Sequence, residues 1–98
     1  MIKHIAMWKI AGQGEEKRKN IQTVKATLET CIGIVPGMLK YEVGVDAGID
    51  HAPWDVVVYS EFTDRAALLA YQEHPTHQAI KPVIGPLREL RGAVDYEA

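Results

Sequence analysis

The sequence contains one cysteine, one phenylalanine and only a slight excess of acidic charge. With Cys31 alone, an intrachain disulfide framework and a cysteine-based metal site are both excluded. Lys and Arg number 11 against 13 Asp and Glu, for a formal net charge of −2. No basic stripe or acidic tail stands out, which argues against nucleic acid and anionic membranes as partners. No stretch approaches the ~20 apolar residues of a membrane span. Met1-Ile2-Lys3-His4-Ile5 opens without the apolar core or cleavage signal of a secretory leader. The expectation is a cytoplasmic protein.

What is present is an ordinary globular composition, 47% hydrophobic and 24% charged over 98 residues. That length suits one domain, 1–98, and leaves no room for a second core. So short a chain buries only roughly 60–70% of the surface its unfolded form exposes, so self-association would add burial.

Ile2, Ile5, Met7, Trp8 and Ile10 are apolar on both parities, which predicts a strand over 2–10 with both faces covered. Gly12-Gln13-Gly14 is a turn; it lacks the remaining spacing and the Lys-Ser/Thr of a phosphate loop. Ile21, Val24, Leu28 and Cys31 recur every three or four residues and predict a helix from Glu15 to Ile32. Glu15 and Glu16 suit its positive end, while Gly33 and Pro36-Gly37 stop it. Cys31 reads as a small core residue. Leu39, Tyr41, Val43 and Val45 alternate with Lys40 and Glu42, a strand over 38–45. Asp46, Gly48, Asp50 and Pro53 follow in a solvated loop with no calcium-site character.

Trp54 to Phe62 predicts a strand centred on Val56-Val57-Val58-Tyr59. Asp64 caps a helix through Glu73 with Ala67, Leu68 and Tyr71 inward. His74-Pro75 opens another, carrying Ile80, Val83, Ile84 and Leu87, which Pro82 and Pro86 must kink or divide. Arg88 to Tyr96 is the last strand, paired with the first, with Leu90, Val94 and Tyr96 on one parity. The order βαββααβ defines an α+β, ferredoxin-like sandwich. Its helices cover one sheet face, so the second apolar face of strands 2–10 and 54–62 predicts a homodimer joined sheet to sheet.

Several segments together carry a resemblance: Ile2-Lys3-His4-Ile5 with Trp8-Lys9, Ile34-Val35-Pro36-Gly37, Trp54-Asp55-Val56-Val57 and Ser60-Glu61-Phe62. Ala70-Tyr71-Gln72, His74-Pro75-Thr76-His77 and Val94-Asp95-Tyr96 complete the set. Over essentially the whole chain the sequence resembles the stress-responsive dimeric α/β-barrel family, whose ferredoxin-like protomers pair their sheets into a barrel. It is also similar to a polyketide cyclase of that fold, which forms olivetolic acid without metal or organic cofactor. That resemblance implies a catalytic histidine at His77, a tyrosine beside it at Tyr71 and a first-strand histidine at His4. The cyclase's second pocket tyrosine and third histidine fall on Leu28 and Asp55. Some family members hold a magnesium ion on backbone carbonyls where the first helix ends, which corresponds to Ile32, Val35 and Met38. Carbonyls at a helix terminus lack internal partners and suit a hard cation.

A histidine titrates near neutrality and suits general acid–base work, and a tyrosine can orient it or donate to an oxyanion. Together they would enolise a β-keto compound. The structural alternative is that His74 caps the helix and His77, near its third position, only helps start it. A metal on His74 and His77 would need a third ligand such as His4, and the structural reading is preferred. Trp8 reads as core or interface and Trp54 as a rim residue. Two functions remain open. One is a cofactor-independent cyclase- or isomerase-like enzyme acting on a small, partly apolar carbonyl compound. The other is a non-catalytic, stress-related dimer that binds a ligand or protects other proteins. Convergence of His4 and His77 on one closed cavity favours the first.

Overall fold

A computed structural model describes residues 1–51 and 54–98; Ala52 and Pro53, the latter expected in a loop, lie outside the described residues. The elements are β1 (Ile2–Ile10), α1 (Gly14–Glu29), β2 (Met38–Val45), β3 (Val56–Phe62), α2 (Arg65–Glu73), α3 (Pro75–Ile84), a 3-10 turn (Gly85–Leu87) and β4 (Arg88–Glu97). They form a ferredoxin-like α+β fold with a four-stranded sheet in the order β2-β3-β1-β4. Every neighbouring pair is antiparallel, and β4 lies against β1 from Ile2↔Glu97 onward.

Alternation fixes the two faces. Ile2, His4, Ala6, Trp8 and Ile10 of β1 are buried, as are Val56, Val58, Ser60 and Phe62 of β3. They pack with Val24, Leu28, Leu68, Ile80 and Ile84 of the helices. Burying each such side chain contributes about 1.5–3 kcal/mol, whereas the exposed Lys25–Glu29 pair of α1 contributes only about 0.3–0.5. The helices are therefore held by their apolar stripes. Asp64 caps α2 by accepting from Ala67 N–H at 2.9 Å, and His74 caps α3 by accepting from Thr76 N–H at 3.0 Å.

Several boundaries differ from expectation. Helix α1 ends at Glu29 instead of Ile32, because the N–H groups of Cys31 and Ile32 turn back to the carbonyls of Leu28 and Glu29 at 3.1 and 3.2 Å. The last turn thus tightens to i→i+3 bonds, and Gly33 at φ 74° redirects the chain. Strand β3 starts at Val56 instead of Trp54, although Asp55 N–H still donates to Trp8 C=O at 2.9 Å. On β2 the register jumps between Met38 and Lys40, so Leu39 is a bulge residue, 56% exposed, and does not share the inward face of Tyr41 and Val43. Helix α3 continues through Pro82, which leaves the Gln78 carbonyl without its i+4 donor; the chain divides at the turn containing Pro86. Val83 points away from the core at 42% exposed.

Among the described residues, no helix lies over the other face of the sheet. Ile5 pairs with Val94, Met7 with Gly92 and Lys9 with Leu90, and Val57 and Tyr59 continue this face on β3. Val94 is 51% exposed there. Trp54, expected at a rim, crosses this open face instead: a Cβ on Gly92 would lie 3.2 Å from its Cη2.

Candidate functional site

Between the sheet and the helices lies a cavity of about 430 Å³. Trp8, Leu28, Val58, Ile80 and Ile84 make its apolar wall. His4, Tyr71 and His77 all line it, brought together from β1, α2 and α3.

His4 is 3% exposed. Even parity on β1 turns its side chain inward, and the buried hydroxyl of Ser60 holds its backbone by donating to His4 C=O at 3.0 Å. Its Nδ1 makes a short contact with the carboxylate of Asp95, directly across the β1–β4 ladder. The carboxylate accepts, so Nδ1 carries the proton and Nε2 is left for the cavity.

His77 stands at the third position of α3 and is half-buried. Its Nδ1 lies 3.0 Å from the carbonyl of Gln72 in the last turn of α2. A carbonyl only accepts, so Nδ1 is the protonated nitrogen and Nε2 holds a lone pair. Burial pushes the His77 imidazole below its ordinary value of 6.5, only partly offset by the Gln72 carbonyl, and Lys81, His4 and Arg91 push it the same way. His77 thus ties α2 to α3 and is also a neutral base at pH 7. The cap itself belongs to His74.

Tyr71 is 2% exposed. Its ring centroid lies 4.6 Å from that of His77 and 6.2 Å from that of His4. A second tyrosine, which the sequence did not single out, completes this end: the hydroxyls of Tyr41 and Tyr71 lie 3.3 Å apart. Tyr41 donates its proton to Leu28 C=O at 2.9 Å, so Tyr71 must be the donor between the two. Its proton is committed to Tyr41, and its ring is what acts on His77. Burial pushes the Tyr71 phenol up to about 12, so it stays protonated.

Of the remaining expected positions, Leu28 lines the cavity and Asp55 does not. Asp55 accepts from Ile10 N–H at 2.7 Å and pairs with Lys17 at 3.3 Å, a structural role at the end of β1. Cys31 is fully buried, and burial raises its thiol. Ile32, Val35 and Met38 share the turn between α1 and β2, where Val35 C=O accepts Met38 N–H at 3.2 Å. A magnesium ion there would rest on neutral carbonyls, one already engaged, and no step below depends on it. Among the described residues no group of three or more His, Cys, Asp or Glu is arranged to hold a metal, and no helix is long and apolar enough to cross a membrane.

A ferredoxin-like sheet with one covered and one open face, and a cavity on the covered side, defines a small α+β barrel protomer. The profile of the stress-responsive A/B barrel domain matches residues 2–98, and the chain belongs to that family. No curated protein matches it. Among solved structures, it is similar to a dimeric protein of unknown function and ferredoxin-like fold from Bacteroides fragilis, at TM-score 0.85 and 29% identity, over 99% of this chain and 95% of that one. A dimeric ferredoxin-like protein of unknown function from Thermobifida fusca superposes at TM-score 0.87 with 26% identity, covering 99% and 90%. A hydroxynitrile lyase from Passiflora edulis matches at TM-score 0.78 and 22% identity over 97% and 90%; that likeness speaks for the fold alone.

Proposed function

We propose that this protein is a homodimer that binds a small, partly apolar carbonyl compound in the cavity and acts on it as a cofactor-independent, cyclase- or isomerase-like enzyme. One observation carries the reading: His4, Tyr71 and His77, far apart in sequence, line one cavity, and the Gln72 carbonyl on His77 Nδ1 leaves the lone pair on Nε2. His77 Nε2 would take the proton from the carbon between two carbonyls. The C–H electron pair becomes the enolate double bond, and the carbonyl pair moves onto oxygen. Return of that proton to the far carbon of a conjugated enolate gives isomerisation. Attack of the enolate carbon on a second carbonyl of the same chain closes a ring, the carbonyl pair moving onto its oxygen, which takes the proton back from His77. Tyr71 holds the His77 ring, and His4, fixed by Asp95, positions the substrate. The proton that His77 takes is the one it returns, so the scheme is written without a metal or organic cofactor.

The dimer is supported by the open apolar face and by the dimeric state described for the two bacterial neighbours. A lone buried cysteine suits a reducing compartment, and we place the protein in the cytoplasm.

The test is solvent-deuterium exchange and cyclisation of a panel of β-keto thioesters, followed for wild type and His77→Ala with folding checked by circular dichroism. Loss of the base should reduce turnover by about 10²–10⁴-fold. A folded His77→Ala protein with unchanged turnover overturns the mechanism. If wild type accelerates none of the panel, the second reading stands: a non-catalytic, stress-related ligand-binding or protein-protecting dimer. In that reading the bond from His77 to the Gln72 carbonyl serves to tie α2 to α3.

A further inference from the structure

Strand β4 carries Arg88 and Arg91, three residues apart. In a regular strand that spacing sends the two side chains to opposite faces. Here the ladder slips: Arg91 pairs with Trp8 and Leu90 with Lys9, but Arg88 pairs with Ile10. Glu89 is the extra residue of a bulge, and the bulge returns Arg88 to the face that Arg91 already occupies. Bulges commonly re-aim a side chain beside a functional site.

Both guanidinium groups line the cavity, and Lys81 of α3 lines it from the helix side. No Asp or Glu lines it, in a chain whose net charge is −2. Among the described residues, none of the three cations is in an ion pair. Asp95, which shares the inward parity of β4 with Arg91 but lies opposite His4, is engaged by that histidine. Arg91 lies over the Trp8 ring, 5.7 Å from its centroid, so its charge sits where the apolar wall begins.

The geometry points to an anionic ligand: a compound with an apolar body, its carboxylate or phosphate head held by Arg88, Arg91 and Lys81, its reactive carbonyl toward His77. This rests on the proposed cavity function and names its substrate class. Arginine's planar fork accommodates either head group through paired hydrogen bonds, and the apolar wall of Trp8, Leu28, Ile80 and Ile84 takes the body.

The probes are 4-phenylbutyrate, its neutral amide and 3-phenylpropyl phosphate, titrated into the full-length protein. Binding is followed by the imidazole proton resonances of His4 and His77. The acid or the phosphate ester should bind about tenfold or more tightly than the amide, and the tighter of the two names the head group. Arg88→Gln and Arg91→Gln should each weaken acid or ester binding far more than amide binding and so remove most of that preference. Arg88 is the safer site, because Arg91 also packs on Trp8. Equal binding of acid, ester and amide at the histidines overturns the anion assignment and leaves the ligand cavity standing. Failure of all three to shift either histidine overturns both.

Discussion

The Gln72 carbonyl occupies Nδ1 of His77 and leaves Nε2 as its basic nitrogen, and this gives its proposed chemistry a definite pH dependence. With its pKa held below 6.5 by burial, the acid limb of a turnover profile should have its midpoint below 6.5. The same depression means the unfolded chain binds the proton more readily. Stability should therefore fall as pH drops below 6.5, and His77→Gln should flatten that decline in denaturant titrations at pH 5 to 7. Tyr71→Phe separates ring from hydroxyl. It removes a donor to Tyr41 and should cost about 1 kcal/mol in urea unfolding, while turnover stays within a few-fold if the ring is what holds His77. His77 and Tyr71 were legible from the His-Pro-x-His element and its tyrosine, and His4 only through the family resemblance. Asp95 was not, since its bond to His4 spans 91 residues and exists only once β4 lies against β1. Tyr41 was read correctly as an inward strand residue, but its contact with Tyr71 depends on how α2 settles on the sheet.

Element order and inward parity came through in the sequence because hydrophobic period and turn chemistry agree along the chain. What escaped were the places where one residue breaks the period. Leu39 alternates properly with Tyr41 and Val43, yet a bulge turns it outward; Glu89 does the same on β4, and no local pattern announces either. Pro82 and Pro86 were expected to kink or divide the segment; the division falls at Pro86, and the helix with buried Ile80 and Ile84 runs on through Pro82. The junction of β2 and α2 is equally specific. A Cβ on Gly37 would come within 2.4 Å of Ala67 Cβ and 2.8 Å of Thr63 Oγ1, and Thr63 N–H donates to Gly37 C=O at 2.9 Å. Gly37→Ala should destabilise by about 1–3 kcal/mol, seen as a lower Tm. Truncation after Arg91 removes the stretch of β4 that pairs with Ile2 to Met7. It should lower Tm sharply through lost ladder hydrogen bonds more than through Val94, which the protomer leaves half exposed.

At the scale of the molecule, the open face of the sheet is what a single chain of this length cannot cover. Ile5, Met7, Val57, Leu90, Val94 and Tyr96 share it with a few lysines and glutamates. Two such faces in contact should bury more than the ~1,000 Å² of a specific interface. Light scattering should report a dimer at micromolar concentration, and Ile5→Asp with Val94→Asp should shift it to monomer without unfolding it.

Strand β4 runs for ten residues along one edge of the protomer's sheet. One row of its N–H and C=O groups faces no strand among the described residues, and a long bare edge is a template for uncontrolled addition of further strands. Arg88, Glu89, Arg91, Asp95 and Glu97 stud that edge with charges of both signs, and the extra residue at Glu89 breaks its regular spacing. Each feature makes an incoming strand dehydrate charge or mismatch its register before it can add. The strand that supplies the cavity with its arginines is thereby also protected against fibrillar growth, so replacing its charges with apolar residues should endanger solubility as well as ligand recognition.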